Sequence, residues 1–405
     1  MTIGVGGSTT ELELAKLTNM TAEVTAISEA EYQQRINKAQ QIMKANNIAA
    51  TYVNAGTNLY YFTGTRWYAS ERMVGAIIPA EGEIQYIAPY FEVNTLNQYM
   101  TISSTINGWQ EHESPYQLFK DVLAKLGITQ GNIAFDESTS FFIVDGIAKL
   151  NQQLVISDAK IITAGCRAQK SDPEIALLQQ AKNMTIAVHK AVARILREGI
   201  STQEVESFIN AAHKKVGAPA GSYFCIVLFG EDSSFPHGVK TPKNLEKNDM
   251  VLIDTGCQVE CYNSDITRTY VFGEPNQRQR DMWHIEKQAQ LAAFDAAHVG
   301  IACGDVDVAA RDYLASQNMG PEYQTPGCPH RTGHGVGLDI HEWPYLVRND
   351  RTPLAKGMCF SNEPMLVIPG EFGVRLEDHF YITDSGAKWF TEPSHSIDDP
   401  FGYQI

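Results

Sequence analysis

Asp254 ends the apolar run Val251-Leu252-Ile253, and Asp265, eleven residues on, opens a second run, 266–272, rich in β-branched and aromatic residues. An ionised carboxylate at the mouth of a buried strand is costly unless a cation or hydrogen-bond donors satisfy it. If the two strands lie side by side, one cation can meet both aspartates. Alone, a strand-end aspartate is more often a turn or cap residue, so the case depends on three later segments. GCPHRTGHGVGLDIHEWPY holds His330, His334 and His341 among glycines, and KGMCFSNEPMLVIPG delivers Glu363 to the end of an apolar strand. FGVRLEDHFYI puts Arg375, Glu377 and His379 on one face of a strand by simple alternation. Four carboxylates at strand positions with one imidazole form an oxygen-rich set whose charge balances two dications. Such donors favour manganese, cobalt or iron over a thiolate zinc site. Two ions about 3.5–4 Å apart can bridge a water, lower its pKa and polarise a carbonyl.

The elements that must position these residues follow from hydrophobic period and caps. Ser28, with Glu31 three residues later, starts a helix whose apolar positions are Tyr32, Ile36, Ala39 and Met43. Short strands at 49–53, 73–78 and 84–88 and a helix at 115–126 alternate in a compact α/β arrangement. The stretch 60–73, YYFTGTRWYASERM, is unusually aromatic for a connection. It reads either as a packed loop or dimer contact, or as a lid that lends Trp67, Tyr68 or Arg72 to a neighbouring active site. Around 163–172 the pattern changes, and a long helix begins where Ser171 or Asp172 caps it and Pro173 occupies a favourable first-turn position. The expected domains are therefore 1–165 and 166–405, with the first 28 residues a polar extension or first helix. Ser201 and Glu204 cap the next helix, and a strand-like run at 223–229 follows.

Composition excludes several classes. At 405 residues the chain is long enough for two domains, and 43% hydrophobic with 20% charged residues is a globular balance. No run of about 18 uncharged apolar residues is present to cross a bilayer, and the first twenty residues lack a basic leader with an apolar block; a cytoplasmic location is the expectation. The seven cysteines are scattered without CxxC spacing, which argues against a disulfide framework and a thiolate zinc site. A net charge of −15 without a basic cluster argues against nucleic acid as a partner.

Asp254, Asp265, His334, Glu363 and Glu377, in this order and with these neighbours, resemble the five metal ligands of the pita-bread metallopeptidases, the family of prolidase, aminopeptidase P and methionine aminopeptidase. GHGVGLDIHEWP is most similar to prolidases, and the first domain resembles the creatinase/prolidase N-terminal domain. The resemblance implies a two-domain α+β protein with a pita-bread second domain. It implies hydrolysis of the Xaa-Pro bond in dipeptides or short peptides with two divalent metal ions, manganese first and cobalt, iron or zinc as alternatives. Separately, the aromatic stretch 60–73 leads to the expectation of a homodimer in which it contacts the second subunit's active site. Residue by residue, Asp254 would chelate one metal, His334 and Glu363 the other, and Asp265 with Glu377 would bridge both. Glu363 would shuttle the proton of the attacking water. His341 resembles the histidine that stabilises the tetrahedral intermediate, and His237 and His330 those that line the substrate pocket. Tyr223 resembles a tyrosine that orients a ligand carboxylate, and Arg375 an arginine that holds the carboxylates and substrate end. One departure is Tyr345, where such prolidases often carry an arginine after HEWP that meets the terminal carboxylate; Arg348 and Arg351 are the expected substitutes. Two alternatives stand beside this reading: another chemistry on the same scaffold (creatinase-like, ectoine hydrolase-like or sulfoniopropionate lyase-like), and a non-enzymatic binding protein of this fold.

Overall fold

The computed structural model describes residues 1–404 and divides into two compact units, Ile27–Arg167 and Met1–Ala26 with Ala168–Ile405. The smaller unit is a six-stranded mixed sheet in the order Thr105–Trp109, Gln85–Pro89, Gly75–Pro79, Ile48–Asn54, Gly131–Phe135, Leu154–Asp158. Its core is built from Tyr52, Ile77, Ile87, Phe119, Ile133 and Phe135, with the helices Pro115–Lys125 and Phe141–Leu150 supplying Val122, Leu123, Ile143 and Ile147. Ser28 caps the helix Glu29–Ala45 by accepting from the Glu31 amide, and Tyr32, Ile36, Ala39 and Met43 are its buried apolar residues, as the period predicts. The aromatic stretch differs from expectation at its start. Residues Thr57–Thr63 form a short helix that ends at Gly64, where φ is +69°. Within this unit Trp67 packs edge-on against Tyr99, and Arg72 donates to both carboxylate oxygens of Glu111 at 3.1 and 3.0 Å. Tyr68 is 91% exposed.

In the larger unit the strands Phe224–Phe229, Met250–Gly256 and Ile266–Val271 form an antiparallel sheet with the second in the middle. A five-stranded sheet runs Glu342–Leu346, Gly333–Gly335, Cys359–Asn362, Asp378–Thr383, Gly386–Trp389, and a hairpin joins Met365–Ile368 to Phe372–Arg375. Helices Asp172–Ile195, Thr202–Val216 and Gln277–Ala296 each start from a reciprocal capping box, at Ser171/Glu174, Ser201/Glu204 and Asn276/Gln279. Trp283, Ala289 and Ala293 from the last of these meet Phe360, Phe380, Val374 and Leu376 in an apolar core of this unit. Among the described residues no helix is long and apolar enough to cross a membrane.

The expected domain 1–165 is corrected at its start, because residues Met1–Ala26 belong to the larger unit. The amides of Gly6 and Ser8 donate to the carbonyls of Ala193 and Arg194 at 2.8 and 3.0 Å, and the Thr2 amide donates to Gly273 at 2.8 Å. Glu13, buried in the first helix, Thr10–Lys16, pairs with Lys16 at 2.7 Å and Arg194 at 3.4 Å. These tertiary partners lie far along the chain, so no local pattern reveals them.

Candidate metal centre

Strand register brings the first two aspartates together. Asp254 is paired directly across the sheet with Thr267, so their side chains share a face, and Asp265 lies two residues before Thr267 on that face. Thr267 Oγ1 donates to Glu377 Oε2 at 2.8 Å, while the Glu377 amide donates to the Thr267 carbonyl at 3.1 Å. Thr269 and Arg375 exchange a second pair of bonds, Thr269 Oγ1 to the Arg375 carbonyl at 2.6 Å and the Arg375 amide to Thr269 Oγ1 at 3.2 Å. Two threonines on one strand thus fix where the segment 375–377 sits.

His334 occupies the strand Gly333–Gly335, and its two glycine neighbours have a steric reason. A Cβ at Gly333 would lie 2.1 Å from the Ser361 carbonyl oxygen, and one at Gly335 2.6 Å from that of Glu342. The histidine amide donates to Ser361 Oγ at 3.0 Å, and Ser361 Oγ lies 3.3 Å from Glu363 Oε1, so one serine places both residues. His334 Nδ1 donates to the Gly335 carbonyl at 3.0 Å. Nε2 therefore faces Glu363 Oε1 at 3.1 Å and Asp265 Oδ2 at 3.8 Å, where it donates to Glu363 when the ring is protonated and offers its lone pair to a cation when the ring is neutral. From the other side, the helix Gln277–Ala296 grips both glutamate segments. Gln290 Nε2 donates to the Leu376 carbonyl at 3.0 Å, and Asn362 Nδ2 donates to the Gln290 carbonyl at 2.8 Å.

The electrostatics are those of a like-charged cluster short of donors. Burial, then the charges of Asp254 and Glu363, drives the pKa of Asp265 well above the usual carboxylate range. Glu377 is driven up for the same reasons, burial first and then Asp265 and Glu363. Burial pushes Glu363 up too, but its hydrogen bond with His334 and the charges of His334, His330 and Arg375 outweigh that and hold it at about 2. Arg375 Nη2 donates to Asp254 Oδ2 at 2.5 Å and Nε to Thr267 Oγ1 at 3.1 Å; burial opposes its charge, and the four surrounding carboxylates sustain it.

One arginine does not balance this set. Asp254 Oδ1, Asp265 Oδ1 and Glu377 Oε1 are buried with no hydrogen-bond partner among the described residues. Donor atoms of His334, Glu363 and Glu377 lie within 4.8 Å of one another, as do those of Asp265, Glu377 and His379, and those of Asp265, His334 and His341. Glu377 is common to two of these triads and Asp265 to two. Orphaned oxygens around shared carboxylates, beside an imidazole, fit the binding of divalent metal.

The remaining nominated residues divide. His341 stands at the exposed rim with its ring 4.2 Å from that of His334. His330 donates from Nδ1 to the Arg331 carbonyl at 2.7 Å, leaving Nε2 buried and unpartnered, and burial lowers its pKa. His237 is exposed on the loop after the turn Gly230–Ser234, within electrostatic reach of His341. Tyr223 does not join the cluster: its side chain is 52% exposed and its hydroxyl makes no hydrogen bond among the described residues. Ile226 is the residue paired with Asp254, so Tyr223, three positions earlier, falls out of phase with the carboxylate face. Thr267 and Arg375 make the carboxylate contacts expected of it.

Arg348 is held by Glu322, and Arg351 lies 3.8 Å from Asp305. Arg331 instead stacks its guanidinium 4.3 Å over the Tyr345 ring and has no carboxylate partner among the described residues. Its loop is anchored by residues the sequence does not advertise. Buried Asp307 accepts from the Thr332 amide at 3.0 Å and from Arg311 at 2.8 Å, and Arg311 donates to the His330 carbonyl at 2.5 Å. Their only sequence signal is an i,i+4 acid–base pair on the helix Cys303–Ser316.

Residues 176–384 match metallopeptidase family M24, and residues 35–169 match the creatinase/prolidase N-terminal domain. The chain belongs to metallopeptidase family M24. Its larger unit is the pita-bread domain of that family and its smaller unit the creatinase-like one. The chain is 31% identical to the Xaa-Pro dipeptidase of Pyrococcus furiosus over 90% of its own length and 99% of the relative's. A dipeptidase of Mycobacterium ulcerans superposes with a TM-score of 0.85 at 30% identity, covering 92% of this chain and 99% of that one. A prolidase of Thermococcus sibiricus gives 0.81 at 28% identity, with 89% and 97% covered. The M24 protein is a peptidase of the divalent-metal class.

Proposed function

We propose that this M24 peptidase hydrolyses the Xaa-Pro bond of dipeptides at a dinuclear centre held by Asp254, Asp265, His334, Glu363 and Glu377. The observation that carries the reading is the set of orphaned carboxylate oxygens around Asp265 and Glu377, facing the free lone pair of His334. When bound, two divalent cations lower the pKa of a water and polarise the peptide carbonyl. Manganese suits so oxygen-rich a set, and cobalt, iron and zinc share its donors.

The chain's own residues do the rest. Glu363 accepts the proton of the attacking water and passes it to the leaving imino nitrogen. His341, at the rim beside His334, donates to the oxygen on which negative charge develops. Arg375 keeps Asp254 and Thr267 in place by two hydrogen bonds. His330 and His237 border the peptide. Arg331, fixed over Tyr345 and free of acidic partners, binds the dipeptide's terminal carboxylate. This supplies the function that Tyr345 removes from the position after HEWP, and it makes a dipeptide the preferred substrate over a tripeptide. The exposed Tyr68 is the residue of the aromatic stretch best placed to contact a second copy in a homodimer.

The deciding experiment measures turnover of Xaa-Pro dipeptides, Xaa-Pro-Xaa tripeptides and dipeptides lacking proline, with the chain stripped of metal and reloaded with manganese or cobalt. Metal-dependent cleavage of the Xaa-Pro dipeptide above the other two is expected. Cleavage of none of them would favour a different chemistry on this scaffold.

A further inference from the structure

His379 remains unused by the roles above, yet it is wholly enclosed and neither ring nitrogen has a hydrogen-bond partner among the described residues. A buried imidazole ordinarily donates from one nitrogen and accepts at the other. Here Nε2 lies 3.8 Å from Glu377 Oε1, itself an orphan, and donor atoms of His379, Glu377 and Asp265 fall within 4.8 Å of one another. Two carboxylates and an imidazole, all buried, therefore face one space with at most the single imidazole N–H as a donor among them.

The backbone holds this arrangement firmly. Asp378 points the opposite way from its neighbours along the strand, and its carboxylate is clamped by Arg268 at 2.7 Å and Gln290 at 3.1 Å. Glu377 and His379 are thereby turned together towards the cluster. Across the sheet His379 is paired with Ser361, the residue that places His334 and Glu363. A neutral imidazole carries one nitrogen lone pair that a cation can take.

We propose that His379 is a nitrogen ligand of a cation held by Asp265 and Glu377, adding a second imidazole to that of His334. The inference rests on the dinuclear reading of the site. Imidazole suits zinc, cobalt and iron better than manganese, so the His379 side selects the nitrogen-seeking ions.

The test uses the full chain stripped of metal. Cobalt and manganese binding are followed by calorimetry, and nitrogens bound directly to manganese are counted by pulsed EPR. His379→Leu fills the volume without a donor, and His379→Gln offers a polar replacement if the first variant does not fold; melting of the metal-free proteins checks both. Two cations and two bound nitrogens are expected for the wild type. The variant should keep one nitrogen, and one of its two cobalt sites should weaken by on the order of 100-fold. Unchanged affinity and nitrogen count would overturn the assignment. Weaker binding with both nitrogens still present would overturn it as well, since His379 would then act only by positioning Glu377. A wild-type chain that binds no cation would remove the dinuclear reading and this inference together.

Discussion

Asp136 in the smaller unit closes the apolar run 133–135 much as Asp254 in the larger unit closes 251–253. Both aspartates are buried, and either could be read as a strand-end cap. In the smaller unit every oxygen finds a donor: Asp136 accepts from the Asn54 amide on one side and from the Ser138 amide and hydroxyl, at 2.7 and 2.6 Å, on the other. In the larger unit Asp254 has one oxygen taken by Arg375 and one with no donor, and Asp265 beside it has an oxygen in the same condition. The difference teaches that position and burial do not distinguish a structural carboxylate from a candidate ligand. Unsatisfied lone pairs do.

The comparison can be broken most directly by removing charge at each place. Asp265→Asn should lower kcat/KM by at least about 10³-fold, because under the proposed function several kcal/mol of charge stabilisation would depend on its carboxylate. The metal-free variant should melt no lower than the wild type, since it loses a carboxylate opposed by Asp254 and Glu363. Near-normal rates would exclude Asp265 as a ligand. Arg331→Ala sharpens the contrast within the larger unit. It should raise KM for an Xaa-Pro dipeptide by on the order of 10- to 100-fold, the worth of one charge-assisted hydrogen bond, with a smaller change in kcat. Equal KM values in the two proteins would assign the carboxylate to another group. Asp136→Asn should do the reverse of Asp265→Asn, costing about 1–3 kcal/mol in urea unfolding through lost or mismatched bonds while leaving metal content and kcat/KM unchanged.

The smallest effect concerns Lys182, which lies wholly buried with its ammonium donating to the Asn263 carbonyl at 3.2 Å. Burial lowers its pKa from 10.5 to about 7. Between those values the unfolded chain holds a proton that the folded chain has released, so stability rises with pH across the window, and below it the cost of burying the charge is complete. Lys182→Met should flatten this rise by about 2 kcal/mol between pH 7 and 9, as read from urea midpoints at the two pH values. Parallel profiles for the two proteins would count against the shift.

Much of the cluster was legible because strands encode facing by alternation and because apolar runs that end in a carboxylate are conspicuous. The glycines around His334 are visible too, although the reason for them, the carbonyls of Ser361 and Glu342, is tertiary. Thr267 could have been nominated, since it sits two residues beyond Asp265 on one strand. Ser361 and Gln290 could not, because a serine and a glutamine are ordinary residues until the partner they hold is known. Tyr223 was misplaced by register, which spacing along the chain does not determine. The larger unit's claim on residues Met1–Ala26 was invisible for the same physical reason: contacts between segments more than 160 residues apart leave no periodic trace.

That claim has a consequence for biosynthesis. The opening helix leaves the ribosome long before the helices Asp172–Ile195 and Thr202–Val216 that it packs on exist. At about 5–20 residues per second, it waits roughly ten seconds or more with Glu13 still without Arg194, while the smaller unit is made and can close on itself. Translation order therefore lets the creatinase-like unit close first and leaves the peptidase unit to be sealed by a helix made well before it, returning last.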